Sequence, residues 1–267
     1  LILAFRLEKM MESSRLLLLL AMLVFTGGFA HALWSIQSGS WKESRWHLLP
    51  MLVGFGLQCA FLAQRGSVHG RCPLTSLPEV LVFIGWCIVL LYFLVGAAYR
   101  LSLLGVFTAP LVALLMLPGF FAPLEAKPLP RTLTFWEHLH APLAMIGYAA
   151  FALACITGVM FLIQDYLLKK HKIHALFYQL PPIHHLSKAI VRMVGFGVLV
   201  LAGMMGTTFL IEEPISGAKL TMTWGVLALY AVIWFLMLRR TLSGRVTAWL
   251  AVLGFLLPLG SLWIVGA

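Results

Sequence analysis

Apolar positions in this chain come in long blocks, not in the alternation of a strand or the one-sided stripe of a soluble helix. Residues 16–34, 48–64, 80–99, 103–121, 141–166, 190–211, 222–238 and 246–265 each form a run of 17 residues or more, with charge at most at its ends. A helix rising 1.5 Å per residue needs roughly 17–25 such residues to cross about 30 Å of hydrocarbon. Lipid offers the backbone no hydrogen-bond partner, and the runs lack the period of a barrel strand, so each is expected as a helix. The pattern predicts an all-α polytopic membrane protein, a bundle of about eight transmembrane helices.

The punctuation between the runs adds detail. Ser76-Leu77-Pro78-Glu79 reads as a capping box ahead of the third span, with Pro78 in the first turn where its missing N–H is no loss. A buried functional role is the alternative for Glu79. Pro110 and Pro118 should bend or end the fourth span and Pro258 should kink the last. Gly195, Gly197, Gly203 and Gly206 give the sixth span small faces for close helix packing. Residues 16–34 have the basic flank of a signal peptide, but the run is too long for one and lacks a clear small-x-small cleavage site, so it reads as a span. Leu1 to Lys9 precede Met10 and Met11, and residues 1–15 read as an N-terminal extension to a single transmembrane domain over 16–267. No internal repeat is evident, so an inverted-repeat transporter is not expected.

Composition strengthens the membrane reading. Of 267 residues 61% are hydrophobic and 10% charged, against about 25% charged in a typical soluble domain; the mean hydropathy is +0.98. The net charge of +10 does not point to nucleic acid, because the Lys and Arg sit at span ends without interleaved aromatics. Eight fall on the side of the N-terminus and the 2–3, 4–5 and 6–7 loops, and eleven on the other, where the 5–6 and 7–8 loops are strongly basic. The positive-inside rule then puts both termini outside the cytoplasm of a bacterial-type inner membrane. Cys59, Cys72, Cys87 and Cys155 form no C-x-x-C, which removes support for a thioredoxin-type pair, a zinc site or covalent haem attachment.

Candidate chemistry is sparse within the spans. His31 and Gln58 are the main polar groups there, and the lack of a mid-span acid–base relay counts against an ion-coupled transporter or a permease. His171, His174, His184 and His185 occupy the basic 5–6 loop and read as solvated, with metal binding by the His184-His185 pair the lesser alternative. His47 after Trp46 reads as an interfacial belt. Phe135-Trp136-Glu137-His138-Leu139-His140-Ala141-Pro142 sets imidazoles beside an aromatic shelf at the mouth of the fifth span. His138 and His140 lie about 200° apart on a helix, so at most one faces the bundle, and His140 is nearer the membrane. Histidine is a common axial ligand of haem iron, but an interfacial histidine is the plainer reading of these residues alone.

A resemblance changes that weighting. Gly70-Arg71-Cys72-Pro73-Leu74-Thr75-Ser76-Leu77-Pro78-Glu79 followed by Phe83-Ile84-Gly85-Trp86 resembles a signature of the CcsA-type cytochrome c assembly proteins, roughly G-x-x-P-L-x-N-x-x-E-x-L-x-F-x-x-W. His140 with Gly147-Tyr148-Ala149-Ala150-Phe151, Gln164-Asp165-Tyr166, Leu180-Pro181-Pro182, and Gly244-Arg245 with Leu253-Gly254-Phe255 extend the likeness over about 48–266. The resemblance implies haem handling on the outer face, with His140 as axial ligand and Phe135, Trp136, Tyr148 and Trp224 shaping the pocket. The departures are informative. Of the family's tryptophan-rich segment only Trp224 survives, Met237 stands where a histidine is expected late in span 7, Gln58 stands near the place of a membrane histidine, and the chain read here reaches Gly266-Ala267 without the one expected after span 8. This is closest to the HemX/YpjD-like branch. It implies no enzyme, but a haem-handling component of cytochrome c biogenesis with a membrane-bound assembly partner. The alternative is a regulator or scaffold that binds no haem and meets a haem-synthesis protein.

Overall fold

A computed structural model describes residues 2–38, 48–70, 72–99, 103–122, 134–170, 179–211 and 217–266. Among these there is no strand; the protein is all-α, as the apolar blocks require. The helices are α1 (Ile2–Gln37), α2 (Leu49–His69), α3 (Leu77–Tyr99), α4 (Leu104–Phe121), α5 (Phe135–Lys169), α6 (Ile183–Thr208), α7 (Gly217–Leu238), α8 (Gly244–Gly254) and α9 (Leu256–Gly266). Seven stretches are long and apolar enough to cross a membrane, with Gly244–Leu262 of α8 and α9 forming one of them. The remaining expected span, near 48–64, is α2, whose 21 residues suffice in length but include Gln58, Gln64 and Arg65. α1 runs without a break through the residues expected as an N-terminal extension.

The chain packs as two compact units, Leu1–Thr132 and Leu133–Ala267. In the first, α1 lies against α2 and α4, and α3 against α4 and α2. Its outer positions are greasy, with Leu16, Leu23, Trp34, Leu52, Leu94 and Leu114 all exposed, whereas Gln58, Arg65 and Glu79 are buried. That inversion is what hydrocarbon selects, because a charge costs least where protein groups can meet it. Both Arg65 Nη2 and Nε donate to Glu79 Oε1, at 2.7 and 2.8 Å. The second carboxylate oxygen accepts from the Thr75 N–H at 3.1 Å and the Thr75 hydroxyl at 2.6 Å. Glu79 therefore does hold a backbone N–H ahead of α3, but that of Thr75 instead of Ser76, and it also carries a buried ion pair that ties the end of α2 to the start of α3. Spacing within 76–79 could not show a partner on the preceding helix. At the same end of α2, Ser14 Oγ donates to Gln64 Oε1 at 3.1 Å, and the Gln64 amide reaches Ser13. Gly70 ends α2 at φ 65°, a left-handed cap that glycine reaches without a Cβ clash.

The second unit is organised around α5. Seven-tenths of its apolar window is buried, 72% against 22% for that of α7. It packs on α6 and α8, while α7 packs on α6 and α9. Every residue from Tyr148 to Ala154 is buried, as expected of a helix with neighbours on all sides. Small residues let those neighbours close in. A Cβ on Gly197 would lie 2.5 Å from the Phe151 ring and one on Gly195 2.4 Å from Trp234, whereas Gly203 and Gly206 face open space. Only two of the four α6 glycines are thus packing glycines. Phe151 in turn stacks on Tyr230 of α7, centroids 3.7 Å apart.

The proline expectations resolve individually. Pro110 and Pro118 both ride inside α4, which ends at Phe121 just past the second. Pro258 lacks the N–H that would bond the Gly254 carbonyl, and the last span breaks there, between Gly254 and Leu256.

Two outcomes are expected. Glu79→Gln keeps the side-chain shape but removes the charge opposing Arg65, and should cost roughly 3–5 kcal/mol, the usual penalty for breaking a buried pair. Thermal unfolding in detergent reads this as a lowered Tm, and a wild-type Tm would show the pair to be dispensable. Gly197→Leu should lower Tm sharply, whereas Gly203→Leu should leave it unchanged, since its new side chain meets only lipid.

Candidate functional site

The site is built at the start of α5. Thr134 is its N-cap in extended backbone, φ −71° and ψ 163°. Glu137 completes a capping box, its Oε2 accepting from the Thr134 N–H at 2.7 Å and the Thr134 hydroxyl at 3.0 Å. This fixes the first turn, and with it the bearing of the histidines that follow. His138 is exposed and His140 half-buried, so of the two it is His140 that turns into the bundle. Its Nδ1 lies 3.0 Å from Thr207 Oγ1 of α6, and the Thr207 hydroxyl donates to the Met204 carbonyl at 2.6 Å. The Met204 carbonyl also hydrogen-bonds the His140 ring, so both oxygens that meet the imidazole come from one turn of α6.

The aromatic candidates divide between two places. Trp136 precedes His140 by one turn and shares its face. It forms an edge-to-face pair with Phe135, centroids 5.3 Å apart, and both rings are exposed, a lip at the end of the helix. Tyr148 lies about 12 Å deeper along the axis than His140, at 1.5 Å per residue. It is buried, and its hydroxyl is 3.2 Å from Ser261 Oγ of α9, which itself donates to the Pro258 carbonyl at 2.8 Å. Ser261 borders an open, mostly apolar groove of about 380 Å³ between α7 and α9, lined also by Met222, Gly225, Val226, Leu256 and Leu257. Trp224, half-exposed, sits between two of these groove residues in sequence. The structure thus joins His140 to Thr207, with Trp136 on the same face, and links Tyr148 to the groove near Trp224. Thr207 was not visible in the sequence, because its pairing spans 67 positions and no local pattern marks it.

The other polar candidates lie elsewhere. His184 and His185 are exposed, their rings 4.1 Å apart, and belong to the first turn of α6, not to the loop. His47, His171 and His174 lie outside the described residues. His31 lines a small cleft of about 80 Å³ in the first unit, with Phe25, Met51 and Val106 among its walls. Gln58 is fully buried there, its Nε2 donating weakly to Met116 Sδ at 3.5 Å while Oε1 has no partner. Met237, at the place of an expected histidine, is buried. All four cysteines are free. Burial and then the Glu79 carboxylate push the Cys72 thiol up, which keeps it protonated and a poor ligand.

Among the described residues no group of three or more His, Cys, Asp or Glu could hold a bare metal ion. A haem makes a smaller demand, since the macrocycle supplies four ligands and the protein need give only an axial one. A half-buried imidazole oriented through Nδ1 by Thr207 fits that demand.

Known proteins resemble the chain over much of its length. The family model described as cytochrome C assembly protein matches residues 74–264. Protein HemX of Brevibacillus brevis is 29% identical over 191 residues, 68% of this chain and 70% of that protein. Protein HemX of Bacillus subtilis (strain 168) is 24% identical over 79% of this chain and 80% of that protein. Cytochrome c biogenesis protein CcsA of Chlorella vulgaris is 32% identical over 42% of this chain and 38% of that protein. No solved structure matches the chain. With seven apolar helices of spanning length among its described residues and a family match over most of its length, the chain is an integral membrane protein of the cytochrome c assembly family.

Proposed function

We propose that this protein handles haem for cytochrome c biogenesis at the end of the bundle where α5 begins, with His140 as an axial ligand. The observation that carries this reading is the His140 imidazole, half-buried and oriented on α6 through its Nδ1 contact with Thr207. Trp136 and Phe135 would flank the opening; the groove beside Trp224 and Ser261 is a second apolar surface on the same unit. Haem, when bound, supplies the iron and the redox chemistry. The chain's own part is to bind, orient and release it. With His140 the one histidine proposed as a ligand among the described residues, any further iron ligand would come from Met, water or a side chain of an assembly partner, which would suit handover better than storage. No nucleophile paired with a base was identified in the sequence, so the protein acts as a carrier or presenter, not as an enzyme.

Charge counting sets the orientation of this reading. The basic 5–6 and 7–8 loops face the cytoplasm, and the termini and the start of α5 face outward, in a bacterial-type inner membrane. A second reading, a membrane regulator or scaffold of haem synthesis that binds no haem, is favoured by one observation. The relatives named HemX align over 70% and 80% of their own length, and those named CcsA over 32% to 58% of theirs.

Reduced-minus-oxidised spectra of the detergent-purified protein, as isolated and after haemin titration, separate the two. A Soret band that His140→Ala abolishes supports haem handling; a colourless wild type that takes up no haemin supports the regulator. Orientation is tested with single cysteines in a background lacking the four native ones. Phe209→Cys should react with a membrane-impermeant thiol reagent in intact cells, and Thr241→Cys only after permeabilisation. The reverse pattern would invert the topology.

A further inference from the structure

We propose that Thr207 is a positioning residue, which holds His140 as the Nδ1–H tautomer and leaves the Nε2 lone pair as the one that faces iron. This deepens the haem reading and rests on it. The argument is one of proton counting. A threonine hydroxyl has a single proton to give. That of Thr207 is spent on the Met204 carbonyl at 2.6 Å, and a carbonyl can only accept. What Thr207 Oγ1 turns to His140 is therefore a lone pair, so Nδ1, 3.0 Å away, carries the ring proton; the Met204 carbonyl, itself a hydrogen-bond partner of the ring, likewise can only accept. A neutral imidazole has one N–H, and with Nδ1 holding it Nε2 is bare.

The scaffold around the pair is rigid. Thr207 and Met204 are both buried and lie three residues apart on one turn of α6, so the hydroxyl and its acceptor move as one body. The β-branch of threonine restricts χ1 and holds Oγ1 toward that carbonyl. α5 and α6 pack closely, with a Cβ on Gly147 falling only 2.9 Å from Leu201, so the ring and its partner are held by helices that cannot slide freely. A ligating histidine commonly donates its other N–H to an oxygen that fixes tautomer and ring orientation. Here that oxygen comes from the neighbouring helix, through a hydroxyl itself oriented by the backbone.

Two variants and two readouts test this. Thr207→Val keeps the β-branched shape but removes the acceptor, and Thr207→Ser restores it. Nitrogen-15 NMR of the haem-free protein in detergent, with His140 assigned by its loss in His140→Asn, should show a protonated Nδ1 and a bare Nε2. That preference should persist in Thr207→Ser and be lost in Thr207→Val. Haemin titration should give Thr207→Val an affinity about 10–100-fold weaker than wild type, with Thr207→Ser within a few-fold. A wild-type ring protonated at Nε2, or a Thr207→Val protein with unchanged tautomer and affinity, overturns the proposal. Should Thr207→Val fail to fold, the wild-type tautomer decides alone. If His140→Ala takes up haemin as wild type does, the haem reading fails, whereas the tautomer result in haem-free protein stands or falls independently.

Discussion

Hydrocarbon gives a backbone N–H or C=O nothing to bond, and it gives a charge nothing to solvate it. The first condition makes the spanning elements helices; the second decides which side chains those helices turn inward. In the first unit the result is a bundle with leucine and tryptophan outside and Gln58, Arg65 and Glu79 within. Packing between helices cannot lean on a hydrophobic difference, since lipid is as apolar as leucine. It rests on close approach at glycine and alanine, as where Phe151 fills the space that Gly197 leaves, and on the few polar pairs that cross between helices.

Two such pairs illustrate different uses of one constraint. The Glu79 carboxylate is met by Arg65 from α2 and by Thr75 from its own leading loop. It pins the loop that carries the family signature and leaves Cys72 there with a suppressed acidity. The His140–Thr207 pair is uncharged in its hydrogen bonding and sets a half-buried imidazole against a buried hydroxyl. A fully met group holds a fold together. A half-buried one near the end of a helix is within reach of a ligand, which the fully buried and also incompletely met Gln58 is not.

The aromatic residues that the family resemblance points to are divided between two places in the second unit. Trp136 stays near His140, while Tyr148 turns to Ser261 and the α7–α9 groove, close in sequence to Trp224. One imidazole with an exposed aromatic lip fits transient contact with a large flat ligand better than burial of it, which is consistent with a protein that works beside a partner.

Helix type, approximate spans and the break at Pro258 were legible from sequence because hydropathy and proline act locally, on a few consecutive residues. The motifs around Glu79 and His140 were likewise legible as the places to look. What the sequence could not supply were partners. That Glu79 meets Arg65, that Gly197 is a contact and Gly203 is not, and that His140 answers to Thr207 are pairings between residues brought together by packing. Local pattern tells each residue which environment it wants, whereas the company it keeps is a long-range property of the folded bundle, and only the tertiary structure decided it.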